Sequence, residues 1–232
     1  MLSKRRPALM KRLLRKGIER QLPKGYDIDT HFTPRYNPWD QRLCLVPNGD
    51  LFKAIKQGTA SVVTDHIATF TETGIALRSG AHIDADIVVT ATGLVLQIFG
   101  GMSLEVDGAP IVPSKVLVYK GMMCSGVPNL AFASGYTNAS WTLKADLVSR
   151  YVCRVLNRMR RSGARIVMPR PADPAMARLP WVDFSSGYFQ RSMAELPKQG
   201  AAAPWKLNQN YLADIVALRW RGLDDGVLQF VA

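Results

Sequence analysis

The clearest hydrophobic periodicity lies between Trp141 and Arg161, where apolar residues recur at every third or fourth position. The apolar positions are Leu143, Leu147, Val148, Tyr151, Val152, Val155, Leu156 and Met159. This spacing places them on one face of an α-helix. The pattern therefore predicts a long helix with one buried face. Gly163 is expected to end it, because glycine readily adopts the positive φ of a helix C-terminus.

Three shorter helices are also predicted. The first lies within residues 1–24, where Pro23 and Gly25 mark its end. Its apolar stripe consists of Leu9, Met10, Leu13, Leu14, Ile18 and Leu22. A second helix is predicted for residues 50–57, with Asn48 or Asp50 near its cap, and a third for residues 209–219.

Residues 60–92 predict a β meander that leads into a further strand. Segments rich in β-branched residues cover 60–65, 67–73 and 75–79, and glycines mark the turns. The run Ile87–Val89 is apolar on both faces, which is typical of a buried strand in a parallel sheet. Residues 127–135 predict another apolar strand, followed by a polar turn into the long helix.

Charge is unevenly distributed along the 232 residues, whose formal net charge is +12. Within residues 1–24, Glu19 is the one acidic residue beside Lys4, Arg5, Arg6, Lys11, Arg12, Arg15, Lys16, Arg20 and Lys24. Such a segment can bind anionic lipid or nucleic acid. Its apolar stripe instead favours docking on the protein itself. No aromatic residue interleaves with the charges, which weakens a nucleic-acid interpretation.

Several other classes of site find no support in the sequence. The three cysteines and three histidines do not have the spacing of zinc ligands, so no metal site is predicted. No apolar run approaches the roughly 20 residues that span a bilayer, and no signal peptide is recognisable. A soluble, cytoplasmic protein is therefore expected, with peripheral contact at the inner membrane surface as an option. No catalytic triad motif or phosphate-binding P-loop occurs.

Three stretches carry residues suited to cofactor chemistry. The predicted strand ends in Thr92 and Gly93, which offer a hydroxyl group and close backbone approach. The turn before the long helix directs backbone N–H groups at one point, which suits an anionic oxygen. Ordinary helix capping by Asn138 or Ser140 explains that turn equally well. Arg42 lies in an aromatic-rich loop and can stabilise an anion, although a lone loop arginine is more often a surface group.

Five segments in unchanged order resemble the C-terminal half of flavin-dependent Baeyer–Villiger monooxygenases, in particular the bacterial subgroup that activates thioamide prodrugs. They are HFTPRYNPWDQRLCLVPNGDLFKAI, ADIVVTATGL, YKGMMCSGVPNLAF, GYTNASWTLKADLVSRYVCRVLN and ELPKQG with PWKLNQNY. The resemblance runs from about residue 20 to the C-terminus. It implies FAD and NADPH as cofactors, with O2 and a ketone or sulfur compound as substrates. In that family NADPH reduces FAD, and a C4a-peroxyflavin then attacks the substrate.

The resemblance also suggests which residues contact the cofactors. Arg42 matches the arginine that stabilises the peroxyflavin and contacts the nicotinamide, whereas Gln41 stands where many members have lysine. Thr92 and Gly93 match the strand that reaches the cofactors. The helix start near the flavin ring is matched by Asn138, Ala139, Ser140 and Trp141.

The implied fold class is α/β, a partial FAD/NAD(P)-binding Rossmann-like fold with two dinucleotide-binding domains that lacks the N-terminal FAD-binding half. Residues 1–24 are expected to form the basic helix, and 25–90 the end of the NADPH-binding domain. Residues 91–163 would be the returning part of the FAD-binding domain, and 164–232 a covering segment. Because no G-x-G-x-x-G motif occurs, we expect weak FAD and NADPH binding and negligible turnover by this chain alone.

The expected lack of the N-terminal FAD-binding half also implies a partner. An N-terminal half or a homo-oligomer would have to cover the surface left exposed. The alternative function is a basic binding module that uses residues 1–24 on an anionic membrane or, less favourably, on nucleic acid.

Overall fold

The computed structural model describes residues 5–38, 40–41, 46–137, 139–182 and 186–232. The chain divides into two compact units, Met1–Leu94 and Val95–Ala232. Both combine helices with strands, which confirms the mixed α/β composition. The strand pairs among the described residues are antiparallel.

Among its described residues, the first unit contains three helices and one small sheet. The helices are α1 (Pro7–Glu19), α2 (Ile28–His31) and α3 (Asp50–Lys56), and the strands are β1 (Ile67–Thr71), β2 (Gly74–Leu77) and β3 (His82–Asp84). Leu22, Ile28 and Ile55 form its buried cluster. The predicted helix at 50–57 is confirmed; its N-cap residue is Gly49, with a φ of 65°, and Asn48 and Asp50 lie on either side of it.

The meander is confirmed for three consecutive strands. β2 lies in the centre, where Ile75 faces Phe70 on β1 and Ile83 on β3. A Cβ atom on Gly74 would lie 2.0 Å from the Ile83 carbonyl oxygen, so the sheet requires glycine there. The strand predicted for residues 60–65 does not form, and the meander begins only at Ile67.

The predicted buried strand at Ile87–Val89 is wrong for this structure. Residues 87–97 have no regular secondary structure. Ile87 and Val89 are 82% and 84% exposed. A strand that is apolar on both faces needs hydrogen-bonding neighbours and cover on both sides. The described residues provide neither for Ile87–Val89, whose apolar side chains therefore face solvent.

The second unit is built around one long helix. Its helices are α4 (Trp141–Ser162), α5 (Gly187–Ser192) and α6 (Tyr211–Ile215), and α6 continues into a π-helical turn at Val216–Trp220. Short 3-10 turns occupy Ile98–Gly101 and Pro113–Lys115. Its strands are β4 (Glu105–Val106), β5 (Ala109–Pro110), β6 (Val118–Tyr119), β7 (Met123–Cys124), β8 (Ile166–Pro169), β9 (Arg178–Pro180), β10 (Lys198–Gly200) and β11 (Leu228–Val231).

The long helix α4 confirms the strongest prediction from the sequence. It ends at Gly163, whose φ is 73°. Leu147, Val148, Tyr151 and Val155 are buried, and they pack against residues of β6, β7, β8 and the chain's last 30 positions. Two stripe positions, Leu143 and Leu156, stay exposed. The apolar face thus buries its middle and leaves its edge open.

The predicted strand at 127–135 is also wrong. Phe132 donates its backbone N–H to Met122, and Asn129 donates to Val167, but no continuous ladder forms. Pro128 has no N–H to donate, and Asn129 adopts a φ of 55°. These two residues interrupt the extended backbone at its start.

The C-terminal stretch packs into the second unit. β8 pairs with β11, and β9 pairs with β10. α6 and its π-helical continuation confirm the helix predicted for 209–219. Across the described ranges, the structure holds no helix with both the length and the apolar character needed to cross a bilayer.

Candidate cofactor site

Thr92 and Gly93 lie in the exposed segment that follows the meander. Neither residue belongs to a strand. Gly93 has a φ of 109°, a backbone conformation that residues with a Cβ atom adopt only at a cost. This conformation favours glycine at position 93, while the predicted strand around it does not form.

The N-terminus of α4 presents backbone amides near the surface. Ser140 is the N-cap residue, and it makes no side-chain hydrogen bond to the helix backbone. Its Oγ instead lies 2.8 Å from Oγ1 of Thr142. Capping by Ser140, one of the two ordinary explanations of this turn, is thus not observed. A helix N-terminus carries about half a positive charge, so this end suits a negatively charged oxygen.

Trp141 lies directly against Gly135. A Cβ atom at position 135 would come within 2.1 Å of Cγ in the Trp141 ring. The indole is nevertheless 58% exposed, and Ser140 beside it is exposed as well, whereas Ala139 is half-buried. The absence of a side chain at Gly135 therefore leaves room for the Trp141 ring against the backbone, while the residue remains largely exposed.

A buried ion pair lies one helical turn further along α4. Lys144 Nζ lies 2.7 Å from Asp214 Oδ2, and their side chains are 8% and 5% exposed. Tyr136 donates its hydroxyl to the same carboxylate oxygen at 2.7 Å, and Asn208 donates Nδ2 to Oδ1 at 3.2 Å. Burial, and to a smaller extent the hydrogen bond to Asp214, raise the pKa of Tyr136 above its usual value. This phenol therefore keeps its proton and donates it in the hydrogen bond. The network ties the start of α4 to α6.

A second polar cluster surrounds Tyr119. Its hydroxyl donates to Asp225 Oδ2 at 2.5 Å and lies 2.7 Å from the Tyr151 hydroxyl. Lys120 Nζ is 3.0 Å from the same carboxylate. Burial alone would raise the pKa of Asp225, but the bonds from Tyr119 and Lys120 outweigh burial and lower it. Burial raises the pKa of Tyr119 far above its usual value.

Both lysines border one cleft of about 430 Å³ in the second unit. Its walls also include Lys206, Leu207, Asn208, Ala217, Leu218, Arg221 and Asp224. Lys120 and Lys144 already have carboxylate partners there, so their positive charge is largely compensated. Lys206 and Arg221 also line the cleft, so its four basic residues outnumber the three acidic ones, Asp214, Asp224 and Asp225.

Five of the seven residues proposed from the sequence fall among the described residues. Thr92 and Gly93 belong to the first unit, and Ala139, Ser140 and Trp141 to the second. Arg42 and Asn138 lie outside the described residues. The sequence reasoning missed Lys144 and Asp214. One signal was present, because Lys144 lies three, four and seven positions before Leu147, Val148 and Tyr151, and so interrupts the apolar face with a charge.

The curated proteins that this chain resembles include several FAD-containing or FAD-binding monooxygenases. The chain is 53% identical over 229 residues to the FAD-containing monooxygenase EthA of Mycolicibacterium smegmatis, and 55% identical over 225 residues to EthA of Mycobacterium tuberculosis. It is 52% identical over 235 residues to the probable FAD-binding monooxygenase AlmA of Acinetobacter baylyi. These matches cover 97% to 99% of this chain and 46% of each relative.

The chain is a homologue of FAD-containing monooxygenases. The similarity expected from the sequence motifs is thereby confirmed, since these relatives are named as FAD-containing or FAD-binding monooxygenases. The chain spans about half the length of the curated relatives that it matches. No protein-family model matches the chain. No solved structure matches it either.

Proposed function

We propose that this chain is the C-terminal part of an FAD- and NADPH-dependent monooxygenase that inserts oxygen into ketones or transfers it to sulfur. The observation that carries the proposal is 52% to 55% identity to FAD-containing monooxygenases over almost the whole chain. The residues of the candidate site are chemically suited to contact FAD. When bound, the flavin would supply the activation of O2, and NADPH would supply the electrons.

The start of α4 is proposed to stabilise negative charge on the flavin ring. Support comes from the length of this helix, which runs from Trp141 to Ser162, and from the Ser140 side chain, which does not cap its first backbone amides. Trp141 would pack beside the ligand with its open face. Tyr136, Lys144 and Asp214 would hold the helix start in place through their buried hydrogen bonds.

Thr92 and Gly93 are proposed as a second contact with the cofactors. Gly93 supports this assignment by its positive φ and its exposure, which together permit close backbone approach. Arg42 is proposed as the group that stabilises the developing anion. A guanidinium remains protonated at all relevant pH values and offers several donors in a fixed geometry.

The phosphate-binding loops for FAD and NADPH are proposed to come from sequence outside these 232 residues. Glycine-rich loops at helix N-termini satisfy pyrophosphate with backbone donors, and this sequence contains no G-x-G-x-x-G. We therefore expect the chain alone to bind FAD and NADPH weakly. The exposed side chains of Ile87 and Val89 would then pack into a sheet completed by that other polypeptide.

The test is to purify the chain alone and together with the part of M. smegmatis EthA that it does not match. We expect negligible visible flavin absorbance for the chain alone and stoichiometric FAD in the assembled pair. NADPH oxidation and product formation are then followed with a ketone and with a thioether. Stoichiometric FAD in the isolated chain, or an assembled pair that never retains flavin, would contradict the proposal.

Arg42→Lys in the assembled pair tests the assignment of the anion-stabilising group. It keeps the charge but loses the planar set of donors, so product formation should fall by about 10²–10³. FAD content should be unchanged. Arg35→Lys, at an exposed position in the same unit, is the matched control and should behave like the unsubstituted protein.

A further inference from the structure

The helix α1 exposes most of its apolar face. Successive residues of a helix differ by about 100° in direction, so Leu9, Met10, Leu13 and Leu14 share one side. Leu9, Leu13 and Leu14 are 42%, 52% and 36% exposed, and no residue of α1 is buried. Only the end of this stretch docks, since Ile18 and Leu22 contact the first unit's core. The docking expected for the whole stripe is therefore limited to its last turn.

The opposite side of α1 and its flanks are strongly basic. Residues 5–24 contain one acidic residue, Glu19, beside Arg5, Arg6, Lys11, Arg12, Arg15, Lys16, Arg20 and Lys24. Arg15 bonds Glu19 and Asp29, which fixes the helix to the segment at 27–31. Among the described residues, no other cation of this helix takes part in an ion pair shorter than 4.0 Å. Most of its positive charge is thus open to a partner.

An exposed apolar side bordered by basic residues matches the interface of an anionic phospholipid bilayer. In such helices the apolar face enters the boundary between head groups and acyl chains, and lysines and arginines contact the lipid phosphates. A second copy of this helix would instead bring two sets of like charges together. Nucleic acid would leave the leucines exposed, and no aromatic residue is present to stack on bases.

We propose that α1 is a peripheral membrane-binding surface that docks on anionic phospholipid head groups through Leu9, Leu13 and Leu14 and the flanking Lys11 and Lys16. This proposal is independent of flavin binding, because its surface includes none of the candidate cofactor residues. The helix would lie in the plane of the membrane. Binding would weaken with salt, since the Debye length falls to about 3 Å at 1 M ionic strength.

The test is sedimentation of the 232-residue protein with phosphatidylcholine vesicles and with vesicles that also contain phosphatidylglycerol. We expect binding only to the anionic vesicles and release at high salt. Lys11→Gln/Lys16→Gln should weaken binding by about 30-fold, as each basic residue contributes about fivefold. Leu9→Gln/Leu13→Gln should weaken it by about tenfold or more, because two apolar side chains no longer enter the interface.

Two matched controls distinguish vesicle binding through α1 from non-specific adsorption to vesicles. Arg160→Gln/Arg161→Gln removes the same charge from the end of α4 and should leave vesicle binding unchanged. Ile87→Thr/Val89→Thr makes another exposed apolar segment more polar and should also leave vesicle binding unchanged. Circular dichroism of each variant verifies that the fold is retained.

Several results would overturn the proposal. They are equal binding to neutral vesicles, loss of binding in either control, or full binding by the Leu9/Leu13 variant. A dimer that the leucine substitutions dissociate, without vesicle binding, would assign the face to a second copy. Loss of vesicle binding on assembly with the unmatched part of EthA would assign it to that polypeptide. Salt-sensitive binding to duplex DNA alone would assign the charge to nucleic acid.

Discussion

Both Asp214→Asn and Lys144→Met break the buried Lys144–Asp214 ion pair, but Asp214→Asn should destabilise the second unit more. In Asp214→Asn, the Lys144 ammonium loses its charged partner and keeps at most a neutral amide oxygen and the face of the Tyr136 ring, 5.6 Å from Nζ. In Lys144→Met, the carboxylate still accepts hydrogen bonds from Tyr136 and Asn208. A buried charge without a partner is costly, and the lysine is left with less compensation than the aspartate.

The magnitudes follow from the burial of both side chains, which are 8% and 5% exposed. Removing one partner of a buried pair costs about 3–5 kcal/mol, and we expect Asp214→Asn to fall in that range. Lys144→Met should cost about 2–3 kcal/mol, because the retained hydrogen bonds offset part of the penalty. The double variant leaves no unpaired charge, so its cost should be lower than the sum by about 1–3 kcal/mol.

The measurement is urea unfolding followed by tryptophan fluorescence. Four of the five tryptophans belong to the second unit, namely Trp141, Trp181, Trp205 and Trp220. Trp205 is 1% exposed and reports directly on core opening. Lys206→Met is the matched control, an exposed lysine at the same cleft, and should change stability by no more than about 0.5 kcal/mol. Strictly additive costs in the double variant would refute the reasoning.

Two other predictions concern the packing of the second unit. Gly135→Ala should displace the Trp141 ring, because its Cβ would lie 2.1 Å from Cγ. The expected cost is about 1–3 kcal/mol, with greater quenching of tryptophan fluorescence by iodide; an unchanged quenching curve would contradict this packing. Burial raises the pKa of Cys124 to about 12, so at pH 8 only about one part in 10⁴ is thiolate. Iodoacetamide should therefore modify the exposed Cys153 well before Cys124, and mass spectrometry showing equal rates would be inconsistent with the buried position of Cys124.

The helices could be predicted from the sequence because their signals are local. The bounds of α4 follow from an apolar stripe and from Gly163, both within the helix or next to it. The buried pair behind its first turn could not be predicted in the same way. Lys144 and Asp214 are 70 positions apart, and only the packing of α6 against α4 brings them together. A charged residue on an apolar face indicates that a partner exists, but it does not identify that partner.

The failure at Ile87–Val89 has a different physical cause. Apolar character on both faces is a property of the segment, whereas a buried strand also requires neighbours that donate and accept hydrogen bonds along both edges. The structure places this segment in solvent with its branched side chains exposed, which is energetically unfavourable for a run of this composition. The curated relatives are about twice as long as this chain. Polypeptide equivalent to the unmatched part of these relatives should pair with residues 87–93 and bury the side chains of Ile87 and Val89. The backbone amides of residues 87–93 should then exchange with solvent more slowly in the assembled pair than in the chain alone. Unchanged exchange at these amides, in a pair that retains FAD, would mean that the segment contributes no strand to the cofactor-binding sheet.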